Sequence, residues 1–238
     1  MSLYLPEDAP EATRASLRDS RAAQALNAAG TPFLVYDPEL AEDDVLLLHF
    51  FFDPPGSSPR IAAVCTSGLC RTAQLQPRAW CFDTFEIAVA FYSPGFSTTF
   101  LHHLLLLTRD VRDWLAVPQH PAFGVGDWIE HFPMIGDARS ALLIPPVPEL
   151  VEAGLRPFDA LPSTLAMRDW LNPDALRAAG RFGFLQAVSL YPAEYDRVAT
   201  TRDGFRFFLD HVLASDAELA QGNDLAFRIL DMKRTAVL

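Results

Sequence analysis

Residues Asp83–Leu115 read DTFEIAVAFYSPGFSTTFLHHLLLLTRDVRDWL: one buried strand, one tight turn and one long helix in succession. Phe85, Ile87, Val89 and Phe91 recur at period two and share one strand face, while Glu86, Ala88 and Ala90 share the other. Ser93-Pro94-Gly95 is a turn, because proline fixes φ and glycine accepts the left-handed region. Ser97 reads as the cap of the helix that follows. Phe100, Leu104, Leu107, Val111 and Trp114 come at spacings of four, three, four and three, the stripe of an amphipathic helix. Leu101, Leu105 and Leu106 lie off that stripe, which predicts cover on more than one side; Arg109, Asp110, Arg112 and Asp113 form the solvated face. Such a unit builds a core and carries no evident chemistry.

Upstream, Val45 to Asp53 is apolar on both faces, which places it centrally in a sheet. Pro54 to Pro59 is a loop, and Ile61 to Thr66 returns as the second arm of an antiparallel hairpin. Phe33 to Asp37 is a shorter strand. An Ala-rich helix is expected over 9–29, capped by Asp8 with Glu11 completing a capping box, and stopped by Gly30 and Pro32. Downstream, Pro118 and Pro121 end the long helix. A Gly-punctuated loop, Phe123 to Asp127, enters a short strand ending near Phe132, and Ser140 to Ile144 is another strand. The region 149–181 reads as an insertion or long loop, with a short helix at Pro173–Ala179. Phe182 to Leu190 alternates as a strand, with Gly180 and Gly183 as turn chemistry at its start, and Pro192 to Ala199 is a short helix. A further helix follows Asp203-Gly204, and the tail from Asn223 is ambiguous between helix and strand. Hairpins precede helices without a regular βαβ alternation. The fold class is therefore α+β, a mixed and mostly antiparallel sheet of five or six strands with helices packed on it. No composition break divides residues 1–238, which predicts a single domain.

Thirty acids against 19 Lys and Arg give a formal charge of −11, which argues against general affinity for nucleic acid or anionic membrane. It suits solubility, or a basic protein partner. Cys65, Cys70 and Cys81 form no CxxC pair, so neither a zinc knuckle nor a thioredoxin-like motif is present. Buried free thiols suit a reducing, cytoplasmic setting. The N-terminus lacks the apolar run of a signal peptide, and the longest apolar runs fall far short of the ~20 residues of a membrane span.

Few residues fall in patterns that carry chemistry. His102 and His103 are adjacent on a helix and point ~100° apart. His49 shares a strand face with Val45, Leu47 and Phe51 and reads as structural. Pro94-Gly95-Phe96-Ser97-Thr98 lacks the second glycine of a nucleophile elbow, and Gly124-Val125-Gly126 lacks the third glycine of a dinucleotide fingerprint. Glu86 is a carboxylate inside an apolar strand; buried, it needs a donor or a raised pKa, and an edge position or a pairing with Arg71 or Arg78 would meet that need. An enzymatic alternative would draw on Glu86, His131 and Cys65, provided that at least two converge in a polar pocket. No cofactor or metal is expected.

Several segments together resemble the Suppressor of fused family. His49-Phe50-Phe51-Phe52-Asp53-Pro54 followed by Arg60 to Leu69 is similar to its strand–loop–strand with a Thr-x-Gly end. Phe85 to Phe91 is similar to its Glu-bearing strand before the helix, Ala141 to Pro146 to its apolar strand ending in a proline pair, and Phe184 to Tyr195 to its Phe-Leu-Gln strand running into a short helix. The resemblance spans about 45–213, with the helix 9–29 and the tail 214–238 as extensions. The family's Thr-Ser-Gly-Met-Ser is here Thr66-Ser67-Gly68-Leu69-Cys70, and the Pro146–Arg181 region is longer than usual. Animal members add a second domain and clamp a transcription factor between the two; this chain is too short for that, and neither partner nor clamp carries over. Single-domain members are similar to bacterial proteins thought to act as immunity proteins against polymorphic toxins. An Ala- and Arg-rich composition with Lys233 as the single lysine points to a GC-rich bacterial genome. The resemblance implies a non-catalytic protein-binding domain, an immunity protein acting by stoichiometric occlusion of a basic toxin. The expected contacts are the aromatics and acids of the irregular segments: Trp128, Glu130, His131, Asp159 and Trp170. A self-associating regulatory protein is the remaining alternative.

Overall fold

A computed structural model of the chain describes residues 2–28, 30–37, 45–52, 61–72, 82–92, 98–124, 126–130, 132, 140–144 and 182–200. In chain order these form β1 (Ser2–Tyr4), α1 (Glu11–Arg18), α2 (Arg21–Ala28), β2 (Phe33–Asp37), β3 (Leu46–Phe52), β4 (Ile61–Ser67), a single 3-10 turn (Leu69–Arg71), β5 (Thr84–Tyr92), α3 (Thr98–Leu115), β6 (Trp128–Glu130), β7 (Ser140–Ile144), β8 (Phe182–Leu190) and α4 (Pro192–Thr200). The expected turn at Ser93–Gly95, the cap at Ser97, the loop at Pro54–Pro59, the helix at Pro173–Ala179 and the whole of 201–238 lie outside the described residues.

All eight strands join one sheet in the order β1-β2-β3-β4-β5-β8-β7-β6. The α+β class holds, with more strands than the five or six expected. The strand that no segment of the sequence announced is β1, which pairs antiparallel with β2 through Ser2↔Asp37 and Tyr4↔Val35. Three residues are too few to display a period of two. Strands β1 to β5 form an antiparallel meander, with the β3–β4 hairpin in register from Leu46↔Ser67 to Phe52↔Ile61. β7 runs antiparallel to both of its neighbours, β6 and β8, and β8 joins β5 in parallel from Thr84↔Phe182 to Ala88↔Gln186.

The central strands are apolar on both faces because both faces are covered. On one, Leu47, Val64, Ile87, Val89, Leu143 and Leu185 share a core cluster with Phe100, Leu101, Leu104 and Leu105 of α3. On the other, Val35, Leu48, Phe50, Ala63, Ala88 and Val188 are all buried, with α2 lying against β4. Each buried Leu or Phe stabilises by about 1.5–3 kcal/mol. The exposed pairs of Glu11 with Arg14 (3.0 Å) and Arg18 (3.1 Å) add at most about 1 kcal/mol each, so apolar burial holds the fold.

The helix expected over 9–29 is two helices. Asp19 closes α1, and Ser20 opens α2 by accepting the Ala23 N–H on its hydroxyl oxygen at 3.1 Å. The Ser67 hydroxyl also donates to Ser20 Oγ at 2.7 Å, which ties the break to the end of β4. The expected capping box does not form: Pro10 is the N-cap of α1, with no side-chain cap bond, and Glu11 turns to the two arginines. The stop at Gly30 is as expected, with φ +67° and paired bonds from Gly30 N–H to Asn27 O and Thr31 N–H to Leu26 O, both 3.0 Å. Gly183 is not turn chemistry. It lies within β8 opposite Phe85, and a Cβ there would stand 2.2 Å from Phe82 Cζ. Among the described residues no helix is long and apolar enough to cross a membrane.

Candidate functional site

Glu86 and Cys65 do come together, but in the middle of the sheet. β5 lies between β4 and β8, so Glu86 occupies no edge. Its side chain has no exposed surface. The Thr66 hydroxyl donates to Oε2 at 2.5 Å, and the backbone N–H groups of Gly68 and Cys70 donate to Oε1 at 2.9 and 3.2 Å. Thr66 Oγ1 in turn accepts the Ile87 N–H at 2.8 Å, which completes a chain of bonds between neighbouring strands. Donors therefore come from the Thr66–Cys70 bend, whose Gly68 takes φ +111°. The Arg71 guanidinium, one expected partner, donates instead to the hydroxyl and carbonyl of Ser16; Arg78 lies outside the described residues. Burial raises the Glu86 carboxyl above its ordinary value, opposed by the bonds from Thr66, Cys70 and Gly68.

The thiols are correspondingly poor nucleophiles. Burial, then the Glu86 carboxylate, pushes Cys65 well above the ordinary thiol range, and the same two causes push Cys70 up to about 12. Cys65 has no exposed surface and its S–H contacts the Thr66 carbonyl at 3.0 Å. The two groups form a sealed, hydrogen-bonded strand junction rather than a polar pocket.

His49 is buried between β2 and β4, edge-on to Phe51 with ring centroids 4.4 Å apart. Burial lowers its imidazole from 6.5 to about 4. A histidine lowered on folding contributes stability that is present above pH 6.5 and lost as pH falls through about 4, because only the unfolded chain takes up the proton in between. The melting temperature should therefore fall across that window. A His49→Leu variant, compared with wild type over the same pH series, should show a shallower fall; parallel curves would refute the assignment.

A more open site lies where α3 ends. Trp114 sits on the outer side of the last turn, 39% exposed. Its indole N–H donates to the Pro121 carbonyl at 3.1 Å, and His120 stacks on the ring at 3.8 Å. Pro118 and Pro121 halt the helix and return the chain across this ring, so that Phe123 reaches a centroid distance of 6.3 Å. A tight turn follows. The Gly124 N–H donates to Asp127 Oδ2 at 2.8 Å, and Gly126 takes φ +90°. Gly126 N–H to Leu143 O and Leu143 N–H to Asp127 O, both 2.8 Å, fasten this turn to β7. Trp128 then starts β6, edge-on to Tyr195 at 6.2 Å, and the Tyr195 hydroxyl donates to Glu130 Oε1 at 2.7 Å. That bond, more than desolvation, raises the Tyr195 phenol. Trp114, Pro121, Ala122, Phe123, Asp127 and Trp128 enclose a cleft of ≈ 210 Å³.

Of the residues expected to contact a partner, Trp128 lines this cleft and Glu130 lies exposed two residues on. His131, Asp159 and Trp170 lie outside the described residues. Trp114 was placed on the inward stripe of the helix and is the residue that sequence reasoning missed. The signal that could have found it is angular. At ~100° per residue, Leu115 comes back to within about 40° of Val111, whereas Trp114 misses by about 60° on the other side. Leu115 is accordingly buried and Trp114 is not. Leu106, expected under cover, is 41% exposed as well. No family model matches this sequence, and no curated protein is significantly similar to it.

Proposed function

We propose that the chain is a non-catalytic protein-binding domain of the Suppressor of fused type, a bacterial immunity protein that neutralises a basic toxin in the cytoplasm by stoichiometric occlusion. The observation that carries this reading is the cleft beside β6, where two partly exposed tryptophans meet a carboxylate at the margin of the sheet. Tryptophan at such a position is the commonest kind of interface anchor, because it buries a large area at little cost in side-chain freedom. The net charge of −11 favours encounter with a basic surface. The non-catalytic part is supported by Glu86 and Cys65, both without exposed surface, hydrogen-bonded within the sheet and pushed by burial toward their protonated forms. Free Cys65 and Cys70 suit a reducing compartment.

Co-expression with the product of the adjacent reading frame tests the reading. Wild type should restore growth against a toxic product. Trp128→Ala should weaken the complex by about 2 kcal/mol or more, as hot-spot tryptophans do, and rescue should decline at matched expression. A toxic neighbour that wild type fails to neutralise rejects the proposal.

A further inference from the structure

We propose that the cleft between Trp114 and Trp128 receives a single arginine side chain of a basic partner protein. This inference rests on the protein-binding reading above and names the chemistry of the contact. Three properties of the cleft select the occupant.

The first is size. At ≈ 210 Å³ the cleft is smaller than the ~300–1,000 Å³ of pockets that enclose drug-sized ligands or cofactors. It suits one side chain inserted from outside.

The second is the polarity of the lining. The Trp114 indole N–H is committed to the Pro121 carbonyl, and the Trp128 ring stands edge-on to Tyr195. Indole is a donor only, so with this bond made the Trp114 ring has no hydrogen-bonding group left to offer a ligand. What the two rings offer is π surface. Trp114, on which His120 also stacks, lines the cleft alongside Phe123 and Trp128. The charged group among them is the Asp127 carboxylate, held in place by the Gly124 N–H. Aromatic faces and a carboxylate attract a cation and repel an anion.

The third is shape. A guanidinium is planar, stacks on indole and presents its N–H edge to a carboxylate at the same time, which a lysine ammonium does not. A chain carrying −11 favours encounter with basic partners, which carry such groups.

The test uses the full chain and two peptides, acetyl-Gly-Arg-Gly-amide and the same peptide with citrulline, which keeps the shape and loses the charge. The readout is the set of indole N–H resonances, assigned with Trp114→Phe and Trp128→Phe. Saturable shifts at Trp114 and Trp128 are expected with the arginine peptide, with binding to the citrulline peptide about fivefold weaker or worse. Equal affinity for the two peptides overturns the assignment, as does the absence of a saturable shift at either indole. The comparison of peptides needs only wild-type protein, so a variant that fails to fold leaves it intact. Growth rescue that survives Trp128→Ala, with no arginine preference in the titration, overturns the cleft while sparing the protein-binding reading. An arginine preference in a chain that rescues nothing does the reverse.

Discussion

Glu86→Ala should lose about 3–5 kcal/mol of unfolding free energy in a denaturant titration at neutral pH, a large share of the ~5–15 kcal/mol that holds a domain together. The variant strips the acceptor from the Thr66 hydroxyl and from the Gly68 and Cys70 N–H groups, all within a fully buried junction. It also leaves a cavity where the side chain stood. Glu86→Gln preserves shape and one acceptor oxygen and loses less, about 1–2 kcal/mol. The pH dependence separates charge from shape. A carboxyl raised on folding contributes stability that is fully present below the ordinary 4.5 and is lost as pH rises through its folded value. Wild type should thus gain on Glu86→Gln as the solution is made more acidic. The His49 contribution runs in the opposite direction, which is why the comparison must be made between variants rather than on wild type alone. An alanine variant as stable as wild type would remove the case for Glu86 as the lock between β4 and β5.

Gly183→Ala should cost about 3 kcal/mol, the upper end of the usual range for overpacking a core. An added Cβ would lie 2.2, 2.4 and 2.5 Å from three ring carbons of Phe82, closer than real Cβ atoms come to anything. Phe82 is itself 1% exposed and belongs to the core cluster, so the ring has little room to yield. The strain falls on β8 where it meets β5, since Gly183 is the register partner of Phe85. A Phe82→Leu background should relieve part of the cost. Chemical denaturation of the four-member cycle should therefore give a coupling of about 1 kcal/mol or more; strict additivity would show that the two sites do not press on each other.

Legibility in the sequence followed the range of the physical signal. β3 and β5 were readable because apolar residues on both faces of a strand say that both faces are covered. The β3–β4 hairpin and α4 were readable for the same local reasons. The break between α1 and α2 was not, since Ser20 in an Ala-rich run becomes a cap only once Ser67 fixes its hydroxyl from the far side of the fold. Thr108 shows the same limit on α3. A polar residue was passed over in favour of Leu107, yet Thr108 is buried with its hydroxyl donating to the Leu104 carbonyl at 2.7 Å. Glu86 was recognised as needing donors, but its donors are backbone groups of a bend, which no side-chain pattern announces. Of the candidate site, Trp128 and Glu130 were legible as residues. The partnership of Trp128 with Trp114 was not, because it depends on how the chain after Pro121 folds back.

The parallel contact between β5 and β8 divides the sheet by order of assembly. Strands β2 to β5 are neighbours in sequence as well as in space, and they can zip together with comparatively short loop closures. β8 can reach β5 only after residues 93–181 have been made and brought around, a closure with a far larger entropic cost and a slower rate. Until then the open flank of β5 presents unpaired backbone groups to any other strand. A chain halted before Phe182, on the ribosome or by proteolysis, would carry that flank bare, with Glu86 already locked in place beside it.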